Sequence, residues 1–391
     1  MPTPRPFTLF CAACYLLSLA YGATFLLNPL VHTFGAGEAE ASQVFAVMMV
    51  STLLAVLASG HALQSLGAAR AIALGAASLV AASLGFAVVP GVGAALAACG
   101  VLLGIGWGLF YTVGPIMVAA MVEPARRTHC FALLSGSMLS GIGSAPLLGA
   151  LAGRAGWPVQ AVFACAGAAA LLGGAYFWRL GADGQRPAGP VRLSVAASAA
   201  VLRSPARWSI LLVGLGGAIF GTLGSFQTRY ALDHGVDYSL FFMGFMGAAI
   251  ACRLLVAGWV VKRPPLPTAA LLTSLILLAV LLFARGVQGN ASYLLAAALL
   301  GVGYGLNYSV INGLAASEAP PGLTAQALLL FSLAYFIGVF GFPALAGRLI
   351  SHTGVHGMLL AVLAVALAVW LVSLGRWLGR LAGQPGPRTE R

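Results

Sequence analysis

The chain has 391 residues, of which 60% are hydrophobic and 7% are charged, and its mean hydropathy of +0.98 excludes a soluble globular protein. The formal net charge of +12 would suit a nucleic-acid-binding protein, but the basic residues concentrate at the N-terminus, in alternate loops and in the C-terminal tail. This positive-inside pattern predicts a multi-pass protein of the inner (cytoplasmic) membrane with both termini in the cytoplasm. Its partner is then a lipid bilayer, and we expect no nucleic acid.

Twelve apolar segments follow one another, each close to the ~20 residues that span a bilayer as a helix. The predicted spans are residues 8–30, 43–63, 70–90, 93–121, 129–151, 159–179, 208–231, 239–261, 268–285, 292–316, 324–347 and 356–376. An arginine-rich polar interval separates the sixth span from the seventh, and SVAASAAVL within it predicts a short surface helix. We therefore expect an N-terminal six-helix bundle at 1–180, a cytoplasmic linker at 181–207, a C-terminal six-helix bundle at 208–376 and a cytoplasmic tail at 377–391.

The chain contains one segment twice. Residues 102–113 read LLGIGWGLFYTV, and 197 positions later residues 299–310 read LLGVGYGLNYSV. At the same offset Pro146 matches Pro343. A register that continues without a gap indicates two copies of one folding unit, related by a pseudo-two-fold axis. In membrane proteins, parallel repeats of this kind are typical of transporters that hold substrate between the copies.

The loop after the second span carries a recognisable motif. It reads GHALQSLGAAR from Gly60 to Arg70, with Gly67 in its second half and Gln64 at the acidic position of the pattern G-x-L-a-D-r-x-G-r-r. The whole chain therefore resembles the major facilitator superfamily. This resemblance implies an all-α fold of twelve transmembrane helices in two six-helix bundles, with helices 1, 4, 7 and 10 around a central site. It also implies a gating role for this loop, although glutamine removes the usual charge.

Two further stretches resemble exporters of that superfamily. Residues 136–149, which include Gly141 and Pro146, are similar to the Gly/Pro-rich motif of its antiporters. That motif has two open interpretations, tight helix packing or a marker of efflux. Residues 225–263 are similar to bacterial drug and metabolite exporters of the arabinose-efflux type, including opine-metallophore exporters. The matching positions are Phe226, Tyr230, Gly235, Phe241, Phe242, Arg253, Ala257 and Gly258.

Two arginines lie within predicted spans, where a charge costs ~2.5–3.5 kcal/mol on insertion scales. Arg229 shares a face of the seventh span with Phe226 and Asp233, and a glycine stripe marks a separate packing face. Because the seventh helix lines the central pathway in the superfamily that the chain resembles, we expect Arg229 and Phe226 to contact substrate. The i,i+4 spacing predicts an Arg229–Asp233 salt bridge, from which an anionic substrate would displace the aspartate. The alternative is an outer-gate salt bridge that never touches substrate. Arg253 is expected to brace helices in a coupling or gating role.

The repeated segments supply the other candidates for substrate binding. Tyr111 and Tyr308 lie beside glycines on matching faces, where aromatic hydroxyls would line a groove. An aromatic packing core between the helices is the alternative. The remaining candidates are polar residues of the tenth span or of the end of the first span: Asn28, Asn307 and Asn312.

No acidic residue falls at the centre of a predicted span. Proton coupling would have to use a group near a helix end, and the candidates are Asp233, Glu123, Glu318 and His129. The histidines form no metal-ligand set, so we expect neither a metal nor a cofactor.

The leading hypothesis is a monomeric secondary transporter that exports a small amphiphilic or anionic metabolite, drug or metallophore by alternating access, with protons as the candidate coupling ion. Uptake of an organic anion is the alternative, because the fold does not encode direction. A membrane enzyme is disfavoured because no span carries paired carboxylates or a nucleophile with a base. A receptor is disfavoured because the tail is too short for an output domain.

Overall fold

The computed structural model describes residues 4–121, 127–181, 194–256 and 263–382, and within these ranges the only regular structure is helical. In a bilayer a helix satisfies its backbone hydrogen bonds internally, which explains why so apolar a chain forms this one element. The predicted all-α class is confirmed. Glu123, Ala257, Gly258 and the side chain of His129 lie outside the described residues, as do 182–193 of the predicted linker and 383–391 of the tail.

The first half of the chain forms seven helices. They are α1 (Pro4–Gly22), α2 (Leu27–His32), α3 (Glu38–Leu66), α4 (Ala68–Val88), α5 (Ala94–Met121), α6 (Arg127–Arg154) and α7 (Val159–Leu180). A 3₁₀ turn at Ala23–Leu26 joins α1 to α2, so that both form the first span. Gly67 joins α3 directly to α4 with φ +80°, a left-handed conformation that favours glycine.

The second half begins with α8 (Val195–Arg203), which confirms the surface helix predicted within the linker; the Ser194 hydroxyl accepts the Ala197 N–H at 3.1 Å as its N-cap. The helices that follow are α9 (Ala206–His234), α10 (Ser239–Leu255), α11 (Pro265–Arg285), α12 (Asn290–Ser317), α13 (Thr324–Phe336) and α14 (Phe342–Ala382). A π turn at Ile337–Gly341 joins α13 to α14.

Ten helices of the described ranges are long and apolar enough to cross a membrane. The helical stretch Gln326–Ala382 has 57 residues, a rise of ~85 Å against a hydrocarbon core of ~30 Å. Gly354, with φ +72°, divides it into two crossings. The shorter apolar helix Ser239–Arg253 adds a further crossing. Each of the twelve predicted spans therefore corresponds to a helix, and the twelve-span architecture is confirmed.

The bundles have two ends, which we name by the chain. The terminal end is where α1 begins, and the far end holds the α2–α3 and α9–α10 connections. In the first bundle α1 packs on α6 and α7, and α5 packs on α3 and α4. In the second, α12 packs on α10 and α11, and α9 on α13 and α14. The bundles meet where α2 contacts α9, α3 contacts α14 and α6 contacts α10.

Glycines permit the closest helix contacts. A Cβ built on Gly221 of α9 would lie 2.2 Å from the carbonyl oxygen of Val339, and one on Gly217 would lie 2.8 Å from that of Tyr335. This confirms the glycine stripe of α9 as a packing face. Gly141 of α6 approaches α1 in the same way, since its Cβ would lie 2.3 Å from the Tyr15 carbonyl oxygen. The glycine motif of α6 therefore serves packing at this position.

We expect Gly141→Ala to lower the melting temperature of the purified protein by several degrees, because the new methyl group would overpack against backbone at a cost of about 1–3 kcal/mol. Gly136→Ala is the matched control in the same helix, since a Cβ there would meet nothing within 4 Å. Differential scanning fluorimetry in detergent compares the two. Equal melting temperatures would contradict the close approach of α1 and α6.

Candidate functional site

The two bundles meet at the far end through an ion-pair network. Arg229, near the end of α9, donates from Nη1 to Glu38 Oε1 at 3.4 Å and from Nε to Asp233 Oδ1 at 3.1 Å. The predicted Arg229–Asp233 salt bridge is therefore present, and a second carboxylate joins it from the first bundle. His32 Nε2 lies 3.2 Å from the same oxygen of Glu38. The Glu38 residue is only 8% exposed.

Glu38 is the functional candidate that the sequence did not reveal. It is the first residue of α3, outside the predicted span, so neither burial nor periodicity marked it. One signal was available. His32 stands 197 positions before Arg229, so the two basic side chains on Glu38 are repeat counterparts that approach one carboxylate from opposite bundles.

A second ion pair crosses the bundles at this end, between Arg154 at the end of α6 and Asp237 in the α9–α10 connection. Partial burial works against the charge of Asp237, but hydrogen bonds from Ser239 and the Arg154 guanidinium hold the pKa of its carboxyl below the usual 3.8. A lowered pKa keeps the aspartate ionised through neutral pH, so the pair is lost only in strong acid.

Just inside the far end, α2 and α9 meet through Asn28. Its side-chain Nδ2 donates to the carbonyl oxygen of Ser225 at 2.5 Å, and these residues are again 197 positions apart. Asn28 is 2% exposed and Phe226 is 1% exposed. Both predicted substrate-binding side chains are therefore enclosed in this state of the protein.

The two copies also meet in the terminal half. The hydroxyls of Tyr111 on α5 and Tyr308 on α12 lie 2.8 Å apart and form a hydrogen bond across the bundles. Tyr111 lies ~25 Å along α5 from the residue at which that helix begins at the far end. Tyr335 stacks on Tyr111 with ring centroids 5.8 Å apart and meets Tyr308 edge-on at 5.7 Å. The predicted tyrosines thus face each other within an aromatic cluster.

Arg253 lies beside these tyrosines. From α10 it donates from Nε to the Gly305 carbonyl oxygen of α12 at 3.2 Å and from Nη1 to the Ser135 hydroxyl of α6. Gly305, whose carbonyl oxygen it bonds, lies one helical turn from Tyr308 on α12. Of the described residues, no carboxylate lies within 4.0 Å of Arg253, in contrast to Arg229.

The remaining predicted site residues lie apart from one another. Asn307 is buried and its Oδ1 has no hydrogen-bond partner among the described residues, while Asn312 is half-buried. The glycines beside Tyr308 do not open a groove, because Gly301 packs on the Phe245 carbonyl oxygen of α10. At the terminal end, around the α3–α4 turn, lie Gly60, Gln64, Gly67 and Arg70. Within α6 lie Gly141 and Pro146.

We expect Glu38→Gln and Arg229→Gln each to lower the melting temperature and the double variant to lower it by less than the sum of the two single changes. The coupling should be about 0.5–1 kcal/mol, because Arg229 is 39% exposed and solvent screens the pair. Glu318→Gln, which removes the Glu318–Arg376 pair within the second bundle, should instead add to Glu38→Gln. Additive effects of Glu38→Gln and Arg229→Gln would refute the coupling.

A family model described as the Major Facilitator Superfamily matches residues 8–343. A POT family transporter solved with 5-aminolevulinic acid aligns with TM-score 0.76 at 15% identity, over 96% of each chain. The peptide transporter POT solved with sulfate aligns with TM-score 0.74 at 18% identity, over 96% of this chain and 95% of that one.

A human protein has the same fold. The human organic anion transporter MFSD10 aligns with TM-score 0.72 at 14% identity, over 95% of this chain and all (100%) of its own. At such identities the likeness shows the fold alone. A search of curated proteins gives no significant match.

Proposed function

The chain belongs to the Major Facilitator Superfamily, and from this premise we propose that it is a secondary active transporter that works by alternating access and exports a small amphiphilic or anionic molecule. The halves 1–180 and 208–376 would rock about the linker 181–207. The positive-inside distribution of arginine supports an inner-membrane location with cytoplasmic termini, which makes the far end the outer end.

One observation carries the alternating-access proposal: α6 and α10 approach closely in the middle of the membrane and less closely further down, where the long Arg253 side chain reaches across to Ser135. A Cβ on Gly143 would lie 2.5 Å from the Met246 side chain, whereas one on Gly136, two turns nearer the terminal end on the same face, would meet nothing within 4 Å. The far end is held by the Arg229–Glu38 and Arg154–Asp237 pairs. The bundles are thus held together at the far end, and in the terminal half they are joined by the Tyr111–Tyr308 and Arg253–Ser135 hydrogen bonds, which opening toward the inside would have to break.

The far-end ion pairs support the gate interpretation of Arg229 rather than contact with substrate. Arg229 already has two carboxylate partners, and opening this end must separate it from Glu38. Protonation of Glu38 would remove the charge that both Arg229 and His32 face. We therefore propose Glu38 as the residue that would couple protons to the gate. Glu318 is less suited to that role, because Arg376 binds both of its carboxylate oxygens, at 2.5 and 2.7 Å, within one bundle.

The substrate class rests on two supports of different kinds. The solved structures of similar fold include an organic anion transporter and a complex with 5-aminolevulinic acid. The pattern at 225–263 resembles exporters of the arabinose-efflux type. Together they favour export of an organic anion, with uptake of an organic anion as the second candidate.

A cysteine at Ser225 tests alternating access without knowledge of the substrate. In a background whose six native cysteines are replaced, Ser225→Cys lies beneath Asn28 and should react slowly with a membrane-impermeant thiol reagent added outside the cell. Adding Glu38→Gln should raise the labelling rate roughly threefold or more, since a coupling of ~1 kcal/mol is about fivefold in an equilibrium.

Glu318→Gln is the matched control for that experiment, because it removes an ion pair within one bundle and should leave the labelling rate unchanged. If Glu38→Gln and Glu318→Gln label Ser225→Cys equally, the far-end gate is refuted.

Direction is read from the organic anions of cells that overexpress the protein, measured by mass spectrometry inside the cells and in the medium against cells with an empty vector. Export lowers the internal level of the transported anion and raises the external level. A higher internal level would overturn export in favour of uptake.

A further inference from the structure

Arg253 lies at the interface of the bundles and has no carboxylate within 4.0 Å among the residues that the structure describes. It lies ~21 Å along α10 from the residue at which that helix begins at the far end, which places it within the membrane. Its known contacts, the Gly305 carbonyl oxygen and the Ser135 hydroxyl, are both neutral. A membrane cation normally pairs with an acid or with backbone carbonyls, and among the described residues Arg253 has one carbonyl and no acid, so an anion could supply the opposite charge.

The donor inventory of Arg253 leaves room for an anion. A guanidinium carries five N–H groups, and the two observed bonds use one from Nε and one from Nη1. Three remain, including both on Nη2. A carboxylate takes two parallel N–H donors, which suits this free edge.

The tyrosine pair adds a further donor. In the bond between Tyr111 and Tyr308 one hydroxyl donates and the other accepts, so the proton of the accepting hydroxyl stays free. The rings of Tyr335 and Phe336 cover Tyr111, and Phe331 meets Tyr308. A ligand here would meet donors at one end and aromatic faces along its body.

Two glycines show unfilled space next to these donors. Gly114, one turn from Tyr111 toward the terminal end, is buried, yet a Cβ built on it would meet only the Phe110 ring at 3.9 Å. Gly136 follows Ser135 directly, and a Cβ there would meet nothing within 4 Å. Gly136 thus marks unfilled space beside the Ser135 that Arg253 contacts, and Gly114 marks unfilled space one turn from Tyr111.

The repeat makes Arg253 specific to the second half. Its counterpart, 197 positions earlier, is Val56, which is buried and apolar. Arg229, by comparison, is matched by His32, and both already face Glu38. The movement of the two bundles, which depends on features that both copies share, therefore does not require a cation at position 253.

Building on the proposed transport function, we propose that Arg253, Tyr111 and Tyr308 form the binding site for the carboxylate of a small monoanionic substrate with an aromatic or apolar body. The carboxylate binds the free guanidinium edge and a tyrosine hydroxyl. Because Arg253–Ser135 and Tyr111–Tyr308 both join the two bundles, a bound anion lies between the bundles, beside the bonds that hold them together in the terminal half.

Benzoate, a small aromatic monoanion, is the probe, and benzamide is its uncharged equivalent. At matched ionic strength, benzoate should raise the melting temperature of the wild-type protein more than benzamide does. Arg253→Gln should weaken the apparent affinity for benzoate by about 10- to 100-fold, the value of a hydrogen bond to a charged group. Arg376→Gln, the control, should keep the wild-type benzoate response, since Arg376 is occupied by Glu318 within the second bundle.

A second variant guards against misfolding of Arg253→Gln. Tyr111→Phe with Tyr308→Phe keeps both rings and removes both hydroxyls, so it should fold and bind benzoate several-fold more weakly. A benzoate response that survives both Arg253→Gln and this double variant overturns the site, as does a wild-type response no larger than that to benzamide. Either result leaves the transport proposal standing, because far-end opening is measured separately by labelling of Ser225→Cys.

Discussion

The hydrogen bond between Tyr111 and Tyr308 joins two residues that are one sequence repeat, 197 positions, apart. A side chain can touch its own counterpart only near the axis that relates the two copies. The bond from Asn28 to Ser225 has the same separation and lies nearer the far end. These two contacts therefore mark the pseudo-two-fold axis at two depths. A movement of one bundle against the other about the middle of the membrane must lengthen one of them while it preserves the other, which is the geometric condition for alternating access.

The symmetry positions the helices, but the chemistry comes from positions where the copies differ. His32 and Arg229 are counterparts that share Glu38, whose own counterpart is Gly235, so the far end carries one acid between two bases instead of two matched pairs. Arg253 corresponds to Val56. An anion between the bundles would therefore meet its strongest donor in the second bundle, while the first contributes a tyrosine and a serine.

Local patterns in the sequence were sufficient for features that one helix determines. The α8 helix, the glycine face at Gly217 and the Arg229–Asp233 bridge all follow from periodicity within a single segment. Contacts between segments that are distant in the sequence could not be predicted from such local patterns. Glu38 and the Arg154–Asp237 pair lie at helix ends, where hydropathy gives no signal. The π turn at Ile337–Gly341 was equally hidden, because its counterpart in α6 shares the aligned glycine and proline and yet is α-helical.

The cost of charge in a membrane identified both Arg229 and Arg253 as candidates in the sequence. Their partners in the structure show that the two arginines meet this cost in different ways. Arg229 is balanced by Glu38 and Asp233 near the membrane surface, so removing Glu38 weakens a closed gate. Arg253 has only neutral partners among the described residues, so its unfavourable energy is relieved when an anion arrives. Loading would then stabilise the protein at the point where the same guanidinium also bonds Ser135 and so joins α10 to α6. Substrate binding and the movement of the bundles would thus depend on the same guanidinium group.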